Sequence, residues 1–483
     1  MQYFGLIQRT YDEFQRPGSG APQWGESGGR EQEGASMDRY SQPSSEGRFD
    51  RVVRAAVEAG LTGAAHPVAG FIDIDGVHTT VGELQSAFEG VAVLHAFAAK
   101  ACPLVPVLRL LAARGLGCEV ASPGELAQAL AAGFPAERIV LDSPAKTRAE
   151  LAEALELGVA VNADNLDELK RIDELVTPQT ASVLGIRVNP QVGAGSISAM
   201  STASASSKFG VPLADPGMRD EVVSAFAARP WLTRLHVHVG SQGCPLELIA
   251  EGVRAAYELA EEINAAVGRR QVTSLDIGGG LPVNFDDDSV RPSYTEYVAV
   301  LRARVPELFS GRYSLVTEFG RSLLAKNGFI AALVEYTKDA GGRRIAITHA
   351  GAQTATRTVF MPQAWPLRVE AYDAGGRRRR GRELVQDVAG PCCFAGDVVA
   401  HGRELPELTE GDLVVLRDTG AYYFSSHFSY NSLPRPAVHG FSSAGDGTVF
   451  VPIRTAQSTA EVVAEAGAEH RDALLALNSA EDR

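Results

Sequence analysis

A parallel (β/α)8 TIM barrel joined to a second, antiparallel β-domain of Greek-key barrel or sandwich type is the α/β architecture this sequence predicts. Three observations carry that reading. Eight short apolar segments, at residues 91–96, 118–121, 139–141, 159–162, 182–188, 234–239, 274–277 and 315–317, alternate with stretches such as 123–132, 149–156 and 246–266, where apolar residues recur at helical spacing. Repeated strand and helix over this length is the signature of such a barrel. Beyond about Ala331 the texture changes to alternating segments at 329–337, 344–348, 367–372, 411–416 and 448–451, separated by Gly, Asp and Pro turns, as antiparallel strands read. Finally, 483 residues exceed what one ordinary core organises, so two packed domains are expected.

Residues 1–47 are expected to form a disordered or loosely ordered arm. From about Gln8 they are rich in Gly, Ser, Gln, Pro and charge and lack apolar periodicity, so they cannot bury enough surface to offset ordering. Order is expected from Arg48, because Phe49, Val52, Val53, Ala56 and Val57 recur at helical spacing. Phe71-Ile-Asp-Ile-Asp-Gly76 suits a strand and turn, with a short helix from about Val81. That strand precedes the barrel and needs a sheet to join, and the second domain offers one. The expected domains are therefore a barrel over 88–330 and a discontinuous β-domain made of 48–87 and 331–483.

With 45 basic and 59 acidic side chains, the formal charge of 45 − 59 = −14 argues against nucleic-acid or anionic-membrane partners. The local exception, Arg377-Arg-Arg-Arg380 with Arg382 beyond, lies between glycines and reads as a solvated hairpin tip. No apolar stretch has the length of a membrane span, and the N-terminus lacks the layout of a secretory signal. A cytoplasmic protein is expected. Cys102, Cys118, Cys244, Cys392 and Cys393 form neither a disulfide framework nor a zinc pattern, so reduced, mostly buried thiols and no metal are expected.

Barrel enzymes build their sites at the C-terminal ends of the strands. Lys100, Glu119, Arg187, His238, Gly278, Gly279, Gly280 and Glu318 all fall at or just past those ends. An amine there suits a nucleophile that forms a Schiff base, and burial lowers a lysine pKa toward that task. In Asp276-Ile-Gly-Gly-Gly280 the glycine backbone can approach an anion closely, although a tight βα turn would use the same residues. Alternation in His236-Val-His-Val-Gly-Ser-Gln242 puts His236 and His238 on one side, with Ser241 just beyond. Glu318 and Arg321, three residues apart, suit either a site or a structural ion pair.

Together these motifs resemble the pyridoxal-phosphate decarboxylases of the alanine-racemase-like fold (fold type III), the diaminopimelate, ornithine and arginine decarboxylase family, with the diaminopimelate branch nearest. The resemblance runs in motif order from about Phe71 to His439. It implies pyridoxal 5'-phosphate as cofactor, bound by the barrel. Phe97-Ala-Ala-Lys-Ala101 matches the family's Tyr-Ala-x-Lys-Ala, implying that Lys100 is the Schiff-base lysine. It further implies that His238 stacks on the pyridine ring and that Ser241, Gly278, Gly279, Gly280 and Arg321 hold the phosphate. Glu318 is implied to bond the pyridine nitrogen. Gly390-Pro-Cys-Cys-Phe-Ala-Gly-Asp397 matches Gly-Pro-x-Cys-Glu-Ser-x-Asp, implying an acid–base role for Cys393. Tyr430-Asn-Ser-Leu-Pro-Arg435 matches the C-terminal Tyr-Asn-Ser-x-Pro-Arg motif and implies a cofactor contact from Tyr430. Because the cysteine loop of this family enters the neighbouring subunit's site, a homodimer with sites at the interface is implied.

The departures lie at substrate-facing positions. The glutamate that contacts a distal amino group is here Phe394, followed by Ala395 instead of serine. His349-Ala-Gly-Ala-Gln-Thr-Ala-Thr-Arg357 resembles Asp-Ala-Gly-Met-x-x-x-x-Arg, which keeps Arg357 as a carboxylate clamp and puts the following aromatic near Phe360 and Met361. Glu318-Phe-Gly320 stands where Glu-Pro-Gly is usual. The expected function is decarboxylation of an amino acid other than meso-diaminopimelate, with a less polar or differently charged distal part, such as a biosynthetic intermediate of specialised metabolism. Arg357, Phe394 and Phe360 are the expected substrate contacts. Amino-acid racemisation on the same fold remains an alternative, and so does a degenerate regulatory homologue; a small cofactor carrier would lack the second domain.

Overall fold

The computed structural model describes residues 47–444 and 447–478; the arm expected over 1–47 lies, but for Gly47, outside them. The strands in chain order are β1 (Val68–Asp73), β2 (Val93–Ala98), β3 (Gly117–Val120), β4 (Ile139–Leu141), β5 (Ala160–Ala163), β6 (Leu184–Asn189), β7 (Val211–Pro212), β8 (Leu232–His236), β9 (Ser274–Asp276), β10 (Ser314–Thr317), β11 (Gly328–Ala340), β12 (Arg343–Thr348), β13 (Val369–Tyr372), β14 (Glu383–Ala389), β15 (Val398–Pro406), β16 (Leu413–Leu416), β17 (Ala437–Ala444) and β18 (Gly447–Arg454).

The expected barrel is present and closed. Its order is β5-β4-β3-β2-β10-β9-β8-β6, all neighbours are parallel, and β5 pairs with β6 to shut the ring. Strands β3, β4, β5 and β6 are buried along their whole length, which explains why they are mostly apolar, although Glu119, Asn162, Arg187 and Asn189 interrupt three of them. Four of the intervening helices start on side-chain caps: Ser122, Thr147, Asn165 and Ser293 each accept from a backbone N–H of the first turn, satisfying a donor the helix cannot. Gly158 and Gly268 end two of them in the left-handed region. These short, well-marked turns place each strand end at one face of the barrel.

The second sheet runs β15-β14-β12-β11-β1-β17-β18, with β16 also on β11 and β13 on β16. Most of its pairs are antiparallel, as expected, but β1 runs parallel to β17 and β12 parallel to β14, so the sheet is mixed. The early strand β1 lies between β11 and β17. Helix Arg48–Glu58 packs Val52, Val53 and Ala56 over Phe71, Phe329, Tyr372, Val415 and Phe441.

Three readings are corrected here. The helix expected from Val81 starts at Ile74, because Asp73 caps it by accepting from Gly76 N at 3.1 Å. Strands β14, β15 and β17 are missing from the sequence reading; β14 and β15 are partly exposed and interrupted by register shifts, which erases alternation. The arginine run is also more than a solvated tip. Arg378 pairs with Asp50 and Glu370, each at 3.1 Å, and Arg379 with Asp412 at 2.9 Å. Among the described residues, no helix is long and apolar enough to cross a membrane.

Candidate active site

Lys100 follows β2 in the turn Ala99–Ala101. Its Nζ donates to Glu119 Oε2, at the end of β3, at 2.5 Å. The Glu119 side chain is completely buried, while that of Lys100 keeps 44% exposure at the mouth of the barrel. Burial opposes the charged amine, but the Glu119 carboxylate, with Tyr422 and Glu318, outweighs it and raises the Lys100 pKa. The sequence-based expectation of a lowered lysine pKa is thereby corrected, because the neighbour counts for more than the burial. Burial pushes Glu119 up to about 8 against the pull of Lys100, and its Oε1 has no protein partner.

A charge network closes the mouth behind this pair. Arg187 Nη1 lies 3.2 Å from Asp142 Oδ2, just past β4. His236 stands with Nδ1 at 3.5 Å from Asp142 Oδ1 and Nε2 at 3.4 Å from Glu318 Oε2. Both histidines of the His-Val-His segment meet Glu318, as alternation predicts, since His238 Nδ1 is 3.6 Å from the same oxygen. Gly279 N donates to His238 Nδ1 at 3.1 Å, so that nitrogen bears no proton and the ring is neutral. Burial lowers the His238 pKa in agreement. Asp276, pushed up by burial to about 7, accepts from Asn162 and from Gly278 N, each at 3.1 Å.

The glycine run is set against backbone on two sides. A Cβ on Gly279 would meet Glu318 O at 2.1 Å, and one on Gly280, whose φ is +90°, would meet Gly240 O at 1.9 Å. Gly278 has φ +66°. Ser241 anchors the adjoining loop by donating its N–H to Met200 O at 2.9 Å. Side chains are excluded from this lip of the barrel, where backbone packs directly against backbone.

Arg321 does not pair with Glu318. Its guanidinium lies 4.3 Å from the Trp365 ring centroid and 4.5 Å from that of Tyr422, and Arg357 lies 5.2 Å and 4.2 Å from the same two rings. Among the described residues neither arginine has an ion-pair partner, and the buried Arg321 Nε and Arg357 Nη1 lack any hydrogen bond. Burial lowers Arg321 to about 10, so it is charged at neutral pH. Two desolvated cations faced only by aromatic rings form a receptor for anions. Tyr422, absent from the sequence reading, joins this receptor to the lysine through its N–H, which donates to Ala101 O at 2.7 Å.

Cys393 belongs to a third group. It lies between β14 and β15, with its N–H on Asn431 Oδ1 at 2.7 Å and its carbonyl accepting from Tyr430 Oη at 3.3 Å. Phe394 stacks on Phe360 at 5.7 Å, Phe428 stacks on Tyr430 at 5.6 Å, and Phe360–Phe428 and Phe394–Tyr430 meet edge-on at 5.5 Å. Tyr430 thus sits with the cysteine loop. Arg357 and Phe360 share the helix Ala352–Phe360, which links the anion receptor to the aromatic group. Asp397 fastens helix and loop together by accepting from Ala352 N and Cys392 N, each at 2.6 Å. The histidine that replaces the family's aspartate, His349, pairs with Glu335 at 2.9 Å.

Asp142, Trp365 and Tyr422 escaped the sequence reading. Asp142 had a usable signal: an acid directly after the apolar triplet of β4, by the rule that singled out Lys100 and Glu119. The unpartnered polar atoms fit pyridoxal 5'-phosphate: the buried Arg321 Nε suits its phosphate as a donor, and the unpaired Oε1 of Glu318 suits a protonated ring nitrogen as an acceptor.

The family model "Pyridoxal-dependent decarboxylase, pyridoxal binding domain" matches residues 75–325. A diaminopimelate decarboxylase of Pseudomonas fluorescens is 34% identical over 385 residues, covering 78% of this chain and 87% of its own. The solved diaminopimelate decarboxylase of Helicobacter pylori, complexed with L-lysine, superposes with a TM-score of 0.74 at 25% identity, covering 85% of this chain and 99% of its own. The lysine/ornithine decarboxylase of Vibrio vulnificus, complexed with putrescine, shares the fold with a TM-score of 0.67 at 23% identity, over 82% and 98%.

Proposed function

Because the chain belongs to the pyridoxal-dependent decarboxylases, we propose a specific form of that chemistry for it: release of the α-carboxylate of an amino acid with an apolar distal part, rather than of meso-diaminopimelate. One observation carries this choice. Phe394, at the position where the resemblance puts a substrate-facing glutamate, is committed to a four-ring aromatic group with Phe360, Phe428 and Tyr430. A distal ammonium placed there would lose its hydration and gain no carboxylate. The curated relatives carry the name diaminopimelate decarboxylase, and this residue sets the chain apart from that substrate.

The cofactor, once bound, supplies an electron sink for the carbanion left by CO₂. Lys100 would hold the cofactor through its amine, with Glu119 as the proton partner of that amine. His238 offers a neutral ring face, and Glu318 an anion for the ring nitrogen. Gly278, Gly279, Gly280, Ser241 and Arg321 receive the phosphate, and Arg357 a substrate carboxylate. Cys393 returns a proton to Cα. Its loop is bonded to the second domain, and we assign it to the site of a second copy in a homodimer.

A CO₂-release screen across D- and L-amino acids tests the reading. The expected best substrate has an apolar or aromatic side chain. A kcat/KM highest for meso-diaminopimelate refutes the substrate assignment, and racemisation without CO₂ refutes the reaction. The Lys100→Ala variant should lose the absorbance of the imine-bound cofactor.

A further inference from the structure

Glu318 is a buried carboxylate, and what keeps it charged lies behind it. The His236 ring is fully buried with a carboxylate at ion-pair distance from each nitrogen, Asp142 at 3.5 Å and Glu318 at 3.4 Å. A neutral imidazole owns one N–H and one lone pair, so it would turn a lone pair on one of these carboxylates. Neither nitrogen makes a hydrogen bond, so what suits both carboxylates is the charge of the doubly protonated ring, acting at ion-pair distance. Asp142 in turn is held by Arg187 at 3.2 Å, and the Arg187 guanidinium is seated 4.4 Å over the Phe209 ring.

We propose that Asp142 is a positioning residue for the decarboxylation: anchored by Arg187, it holds His236 as a cation against Glu318, and so keeps Glu318 an oriented anion. The proposal rests on the reading of Glu318 as the partner of the cofactor's ring nitrogen. The surrounding charges leave no substitute for His236. Lys100 is engaged by Glu119, and His238 is neutral because its Nδ1 accepts from Gly279. Asp276, on β9, adds a further acid, balanced by Arg234 on the histidine's own strand. Burial alone would discharge both His236 and Glu318. Against it, Asp142 and Glu318 raise the His236 pKa well above 6.5, and His236 carries Glu318 well below the usual carboxylate range.

Selective ¹⁵N-histidine labelling of the holoenzyme, with His236→Gln for assignment, tests this directly. His236 should give imidazolium shifts from pH 6 to 8 in the wild type and neutral-ring shifts at pH 8 in Asp142→Asn. In the same variant the kcat/KM profile should gain a basic limb, falling about tenfold per pH unit above the new His236 pKa, and Asp142→Glu should restore the wild-type profile. A neutral His236 in the wild type at pH 7 overturns the proposal, and that measurement does not depend on whether Asp142→Asn folds. A uniform loss of activity with an unshifted profile also overturns it, reducing Asp142 to a structural role. The reading of Glu318 fails separately: Glu318→Gln would then leave the cofactor's absorbance and pH profile unchanged while the ¹⁵N shifts stay as expected.

Discussion

Replacing Gly279 with alanine should separate two strand ends that the site needs in register. The new Cβ would sit 2.1 Å from Glu318 O, 2.6 Å from its carbonyl carbon and 3.1 Å from Phe319 N. All three are backbone atoms, so no side chain can swing aside, and ordinary contact requires an opening of roughly 1.3 Å. A shift of that size breaks the Gly279 N–H bond to His238 at 3.1 Å and strains the Glu318 N–H bond to Gly278 O at 2.7 Å. Overpacking of this kind costs about 1–3 kcal/mol and the lost hydrogen bond about 1 kcal/mol, so about 2–4 kcal/mol is expected in total. Urea unfolding of the apoprotein should show that drop, and equilibrium dialysis should show cofactor affinity lowered by about 100-fold or more. Gly82→Ala is the internal control. It lies inside the helix Ile74–Ala87 with no atom within 4 Å of the added Cβ, so it should stabilise by about 0.5–1 kcal/mol. A Gly279→Ala protein with wild-type unfolding and wild-type cofactor affinity would refute the close-packed lip.

Arg321→Lys keeps the charge but loses the planar face held between Trp365 and Tyr422; cofactor affinity should fall about 10- to 100-fold by absorbance titration, with little change in melting temperature. Cys393 is the one exposed thiol of the five, so Cys393→Ser should leave substrate affinity unchanged and lower kcat by about 10²-fold or more, read as CO₂ release at saturating substrate. His95 is buried, bonds Thr317 Oγ1 at 2.8 Å and is lowered by burial to about 4. Between pH 4 and 6.5 the unfolded chain therefore binds the extra proton, and stability should decline as pH falls through this window, by up to about 3 kcal/mol. His95→Gln should remove that part of the slope in denaturant titrations, and an unaltered slope would exclude the assignment.

How far local sequence reached depends on what each residue's neighbours are. Strands β3 to β6 are buried on both faces, so their mostly apolar runs announce them, and β4 was located to the residue. Strands β14 and β15 share a sheet with one partly open face. Val385 is 61% exposed and register shifts interrupt the pairing, so no period survives to be read. Strand ends were equally legible. Lys100, Glu119, His238, the glycine run and Glu318 stand there because chain connectivity alone delivers them to one rim.

Pairing on that rim could not be read from any window. Glu318 and Arg321 are three residues apart and invite an ion pair, yet Glu318 meets His236 and His238 from β8 and its continuation, and Arg321 turns to Trp365 and Tyr422. The sign of the Lys100 shift turns likewise on Glu119, one strand away. Hydrophobic period and turn chemistry are properties of consecutive residues and survive in the unfolded chain. Electrostatic partnership acts between groups within a few ångströms, and here those groups become neighbours only when the eighth strand closes the barrel.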